Sequence, residues 1–233
     1  MLAPFTLSIR HRRQLSLVAS LIFATAFCAG LLAFRIAYTR GLTYTNLAWN
    51  LFLAWLPVVS SFVAYKLYCQ GLSYCTPLLL GSAFIWLLFF PNAPYLLTDI
   101  LHLKPSDVPL WYDLILLVAF AWTGTFLGLV SLYLMQTVVY RLAGGLASWL
   151  FVVGTLAAGS FGIYLGRFLR WNSWDIFTNP GQIVADIVQR LRDPLAHPQT
   201  FAFSLLFFLF LVSAYWMLIA VVQLGQHEES QHT

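Results

Sequence analysis

Apolar residues in this chain fall into long runs separated by short polar connections. A membrane-spanning helix needs about 20 apolar residues to cross a hydrocarbon core about 30 Å thick. Six stretches meet that length, at about 15–36, 47–68, 76–97, 112–138, 143–166 and 201–223, and predict six transmembrane helices. The runs show no period-two alternation, which a membrane β-barrel would require. The expected fold is all-α, a polytopic membrane protein forming one domain over residues 1–233. Only Arg141 and the Gly144-Gly145 pair separate the fourth and fifth runs, and Pro57 predicts a kink in the second.

Residues 181–193 carry a different period. Ile183, Val184, Ile187, Val188 and Leu191 form one stripe, with Asp186, Gln189, Arg190 and Asp193 largely opposite and Pro180 and Pro194 as bounds. This segment is too short and too charged to span. It predicts an interfacial amphipathic helix lying on the bilayer surface or serving as a lid over the polar face.

The third run contains a break. Pro77 to Phe90 is about 21 Å of helix, followed by Pro91-Asn92-Ala93-Pro94. Each proline lacks an N–H and clashes with the preceding turn, so the helix cannot continue ideally. Either the break lies at membrane depth against protein or a watery cavity, or the helix begins near Leu72 and breaks at the interface. Glycine and alanine recur at every fourth position along the fifth run (Gly154, Ala158, Gly162, Gly166), and the fourth run carries Gly124 and Gly128. Such ridges let backbones approach closely in lipid, within one chain or across a homodimer.

Composition narrows the class further. Apolar residues make up 61% of the chain and charged ones 9%, with mean hydropathy +0.80. A soluble domain carries roughly 25% charged residues, so a water-soluble globule, a disordered chain and a coiled coil are excluded. A net charge of +4, from 12 Lys+Arg against 8 Asp+Glu, is too sparse for a nucleic-acid partner. Cys28 lies inside a run, and Cys69 and Cys75 match neither zinc nor redox spacing, so inert thiols are expected. Arg12-Arg13 before the first run resembles a twin-arginine export motif, but the run exceeds a signal-peptide core and no small-residue cleavage site follows it. A retained helix is expected. Arg10, Arg12 and Arg13 lead into that helix and favour cytoplasmic termini, although the opposite side carries more Lys and Arg in total.

An even number of crossings gathers Asp99, Asp107, Asp113, Asp175, Asp186 and Asp193 on the face opposite the termini. The candidate chemistry lies there. Asp99 and His102 are three apart and share a helical face, the spacing of a base with an orienting carboxylate or of two metal ligands. Two ligands make no metal centre, so none is expected, and a hydrogen-bonded interfacial pair is the simpler role. Asp113 opens the fourth run, where the helix dipole favours an anion. These three are the catalytic candidates. Arg167 and Arg170, also three apart, offer guanidinium forks suited to phosphate or carboxylate. In a purely structural role they would be held by Asp99, Asp113 or Asp175. Asn50, Asn92, Tyr95, Asn172 and Asp175 complete the candidate ligand-binding set. The expected ligand is polar and anionic, a lipid headgroup or a small anion. No pattern identifies a cofactor.

The alternative is a non-catalytic subunit or assembly factor of a larger membrane complex, suited to the small-residue ridges and nine tryptophans. Its partners would be other membrane subunits or a second copy, beside membrane lipids. A transporter fits less well, because the charged residues sit near span ends.

Four blocks carry a family resemblance: Trp49-Asn50; Pro91-Asn92-Ala93-Pro94-Tyr95 with Thr98-Asp99; Trp111-Tyr112-Asp113; and Gly166 to Asp175. Together they resemble a bacterial integral-membrane family, domain of unknown function 1361, from about Asn46 to the last span. The resemblance implies a multi-pass protein of the bacterial cytoplasmic (inner) membrane. It carries no activity with it.

Overall fold

The computed structural model describes residues 3–70, 76–105 and 108–231, with side chains over 15–70, 77–105 and 108–224. Cys75, Asp107 and the side chains of Arg10, Arg12 and Arg13 lie outside the described residues. Every described element is helical: α1 (Ala3–Thr39), α2 (Asn46–Gln70), α3 (Thr76–Phe89), α4 (Asn92–Tyr95), a 3₁₀ turn (Leu96–His102), α5 (Leu110–Phe168), α6 (Asp175–Thr178), α7 (Pro180–Arg192) and α8 (Pro198–Gln231). The chain is an all-α polytopic membrane protein. Among the described residues five helices are long and apolar enough to cross a membrane.

The fourth and fifth runs form a single helical element, α5, interrupted at Gly144 (φ 85°, ψ −179°). An L side chain is strained at that φ, and glycine is not. The two halves fold back on each other there. Gly128 and Gly162 both touch the Pro91–Pro94 segment, whereas a straight helix would put about 51 Å between them. α5 is also the hub of the fold. Two-thirds of its most apolar window is buried, against 17% for α1 and 11% for α8.

The broken third segment faces protein. Phe90, Ala93, Pro94 and Leu96 are buried between the halves of α5. The glycine ridges receive this segment rather than a second continuous helix. Built Cβ atoms would stand 3.1 Å from Phe90 at Gly159, 3.4 Å from Pro91 at Gly162 and 3.3 Å from Tyr95 at Gly166. Gly154, from the same predicted ridge, has open space around it. Backbone bonds Ala93 N–H to Phe90 O (3.2 Å) and Tyr95 N–H to Pro91 O (3.0 Å) satisfy groups that the prolines would otherwise strand. Tight packing around the break thus fixes where Asn92, Tyr95 and Asp99 point.

Candidate functional site

Asp99 is the centre of a polar knot. The turn from Leu96 winds as a 3₁₀ helix, whose three residues per turn eclipse positions i and i+3. His102 Nδ1 therefore sits 3.5 Å from Asp99 Oδ1. Arg167, in the last turn of α5, brings Nη1 to 3.2 Å from the same oxygen, and Asn50 donates to Oδ2 at 3.1 Å. Oδ1 faces both Arg167 and His102 without an aligned N–H. Asp99 is 1% exposed and Arg167 11%, so each stands as the other's counter-ion in a medium where an unpaired charge is costly. Arg167 also donates to the Thr98 carbonyl and to Tyr95 Oη (3.3 Å), with its guanidinium 5.3 Å from the Tyr95 ring centroid.

His102 closes the knot toward solvent, its side chain half-exposed. Arg167 Nη2 lies 3.0 Å from His102 Nδ1. A guanidinium nitrogen only donates, so Nδ1 accepts and the neutral ring carries its proton on Nε2. Asp99 and His102 remain a pair. Among the described residues no third His, Cys, Asp or Glu joins them.

Asp113 belongs to a separate ion pair. Arg35 of α1 reaches it with Nε at 2.7 Å from Oδ1 and Nη2 at 3.1 Å from Oδ2, both residues being buried. Tyr44 packs its ring 4.6 Å from the Arg35 guanidinium and donates its hydroxyl to the His102 carbonyl (3.1 Å). Burial, with the Asp113 charge as a smaller contribution, pushes the Tyr44 phenol above its ordinary value. It stays protonated and keeps that bond.

The expectation that Arg167 and Arg170 share a helical face is corrected. The helix ends at Phe168, and Arg170 takes a left-handed conformation (φ 63°) that turns it away, exposed. Trp171 N–H then bonds back to the Leu165 carbonyl (3.3 Å), satisfying a helix-end acceptor. Asn172 and Asp175 hold each other: Asp175 Oδ2 accepts from the Asn172 backbone N–H (2.7 Å) and side-chain amide (3.3 Å). Neither Asp113 nor Asp175 holds Arg167 or Arg170.

Beside the knot lies a groove of about 370 Å³. Asn50, Asn92, Tyr95 and Asn172 line it with Trp49, Trp171 and Trp174, while Ile183 and Ile187 of α7 lie across it. α7 borders this groove. Its Ile183–Ile187 face covers the groove, pinned by Trp171 Nε1 donating to Asp186 Oδ2 (2.8 Å), while Val184, Val188 and Leu191 stay exposed. Among the described residues no charged side chain lines the groove.

The amide orientations follow from their partners. Asn50 Nδ2 donates to a carboxylate, Asn92 Nδ2 to the Phe89 carbonyl (3.2 Å) and to Ser173 Oγ (2.9 Å), and Asn172 Nδ2 to a carboxylate. Carboxylates and carbonyls only accept, and Ser173 spends its proton on the Leu88 carbonyl (3.1 Å). Each of these groove-lining amides thus keeps its oxygen as its acceptor atom.

Of the ten predicted residues, four line the groove (Asn50, Asn92, Tyr95, Asn172), and Asp99, His102 and Arg167 form the knot behind it. Asp113, Arg170 and Asp175 belong to neither. The pattern reading missed Arg35, Tyr44 and the indoles of Trp171 and Trp174. Arg35 carried a usable signal, a lone guanidinium near the end of an otherwise uncharged run, where burial demands a partner.

A family model described as "Protein of unknown function (DUF1361)" matches residues 49–214, well over half of the chain. That span contains the whole groove lining. No curated protein matches the chain, and no solved structure does.

Proposed function

We infer that this chain, which belongs to the DUF1361 family, binds the hydroxyl-bearing headgroup of an amphiphilic lipid in the groove beneath α7. The observation that carries this reading is the groove's chemistry. It offers three amide oxygens as acceptors, three indoles and no charged group. Acceptors recruit hydroxyl donors, and indole faces stack on the apolar faces of a sugar or polyol ring. An anionic headgroup would find no cation in this wall, because Arg167 is spent on Asp99. The flank of Leu53, Phe84 and Leu87 continues the groove with apolar surface suited to an acyl chain. Its volume falls in the range of about 300–1,000 Å³ typical of small-molecule sites. The reading includes a bacterial inner-membrane location, with the termini in the cytoplasm and the groove on the opposite leaflet.

Native mass spectrometry tests it. The protein, extracted in an amine-oxide detergent, is offered equal amounts of a monoglycosyl diacylglycerol and a phosphatidylcholine. The glycolipid is retained at least about fivefold over the phosphatidylcholine, and Trp174→Ala abolishes the preference. Equal retention of the two lipids by the wild type would overturn the reading.

A further inference from the structure

A second cavity, of about 520 Å³, opens on the other side of the polar knot, between the end of α1, the α1–α2 connection and the end of the 3₁₀ turn. Its lining differs in kind from the groove's. Arg35, Thr43, Tyr44, Asn46, His102 and Lys104 supply polar groups to it, and among the described residues no carboxylate lines it. Asp113, the carboxylate that holds the lining Arg35, accepts from Arg35 Nε on Oδ1 and from Nη2 on Oδ2.

That engagement leaves Arg35 Nη1 with a single long contact, 3.5 Å to the Thr43 carbonyl. The arginine is 2% exposed, so its fork is held rigidly by Asp113 and by the Tyr44 ring. His102 contributes Nε2–H, its Nδ1 being committed to Arg167. Lys104 is exposed at the rim, and its ammonium meets no acceptor among the described residues. Tyr44 has already given its proton to the His102 carbonyl. The free groups of the wall are therefore donors in the main, three of them nitrogens. Among the described side chains, Arg35, Lys104 and, behind His102, Arg167 outnumber Asp99 and Asp113 in charge.

We propose that this cavity is a binding site for a phosphate group, held by Arg35 Nη1, His102 Nε2–H and Lys104 Nζ. A rigid guanidinium with a mobile ammonium is the pairing that phosphate oxygens accept most readily. The phosphate belongs to a soluble ion or to a lipid headgroup, and both present the same oxygens. The site is independent of the groove reading, since the two cavities share no lining residue.

The test is a calorimetric titration of the full chain in an amine-oxide detergent at constant ionic strength. One arm adds inorganic phosphate, and the other adds mixed micelles containing phosphatidic acid. The wild type binds saturably in at least one arm, which identifies the source. Lys104→Gln, a change at an exposed side chain, weakens that binding about tenfold, as expected for one charge-assisted contact. Trp174→Ala leaves it unchanged, so a failure of the groove reading is scored separately. No saturable binding in either arm, or equal binding by wild type and Lys104→Gln, overturns the proposal.

Discussion

The Arg35–Asp113 pair is the sharpest energetic lever in the molecule, because it ties the sparsely packed α1 to the start of α5. Two charge-assisted bonds of 2.7 and 3.1 Å join residues 2% and 0% exposed, so water does little to screen them. Asp113→Leu strands a guanidinium whose Nε and Nη2 have lost their acceptor. Arg35→Met takes the guanidinium away from a buried carboxylate. Removing one partner of a buried pair costs about 3–5 kcal/mol, whereas replacing both with apolar groups of similar size is often near neutral. For a chain of this length a loss of about 3 kcal/mol lowers Tm by about 6–12 °C. Each single variant should fall by that much in detergent-solubilised thermal unfolding, and Arg35→Met/Asp113→Leu should recover to within about 1 kcal/mol of wild type. The coupling then comes to about 5 kcal/mol or more, two single losses of about 3 against a residual of about 1. Single variants within about 2 °C of wild type, or a double variant equal to the sum of the singles, would refute the reasoning.

Two further measurements probe other parts of the same argument. At Gly124 a methyl would meet Leu96 Cδ1 and stand 2.6 Å from the Ala93 carbonyl oxygen, and backbone cannot step aside cheaply. Gly124→Ala should cost about 1–3 kcal/mol. Gly154→Ala, in open space on the same helical element, should be neutral or gain up to about 1 kcal/mol from helix propensity; equal thermal shifts for the two would undo the packing account. Tyr44 supplies a pH test. Its folded value is raised above the unfolded phenol value of about 10, so its contribution is fully present below pH 10 and is lost as pH rises through the folded value. Stability measured from pH 8 to 11.5 should fall at the alkaline end, and Tyr44→Phe should flatten that fall. An unchanged slope would count against the linkage.

Hydrophobic run length was enough to read the helical, membrane-spanning class, because a bilayer imposes one length on every crossing. Pro91 and Pro94 announced the break in the third segment for an equally local reason, their missing N–H groups. The i, i+3 spacing of Asp99 and His102 also survives in the structure, although as a 3₁₀ turn. All of these signals are properties of a few neighbouring residues.

Choice of partner was not local. Asp113 and Arg167 each had several opposite charges within plausible reach, and only the packing of α1 and of the 3₁₀ turn against α5 selected Arg35 for one and Asp99 for the other. The same packing spent the arginine that the pattern had marked for an anion, and it left amide oxygens facing the groove instead. From the sequence alone came the apolar helical rods and the break at Pro91 and Pro94, since each follows from covalent geometry and desolvation along a short stretch. Only the tertiary structure decided which charges cancel and which hydrogen-bonding atoms stay free, because that depends on contacts between residues far apart in the chain, such as Arg35 and Asp113, 78 positions apart.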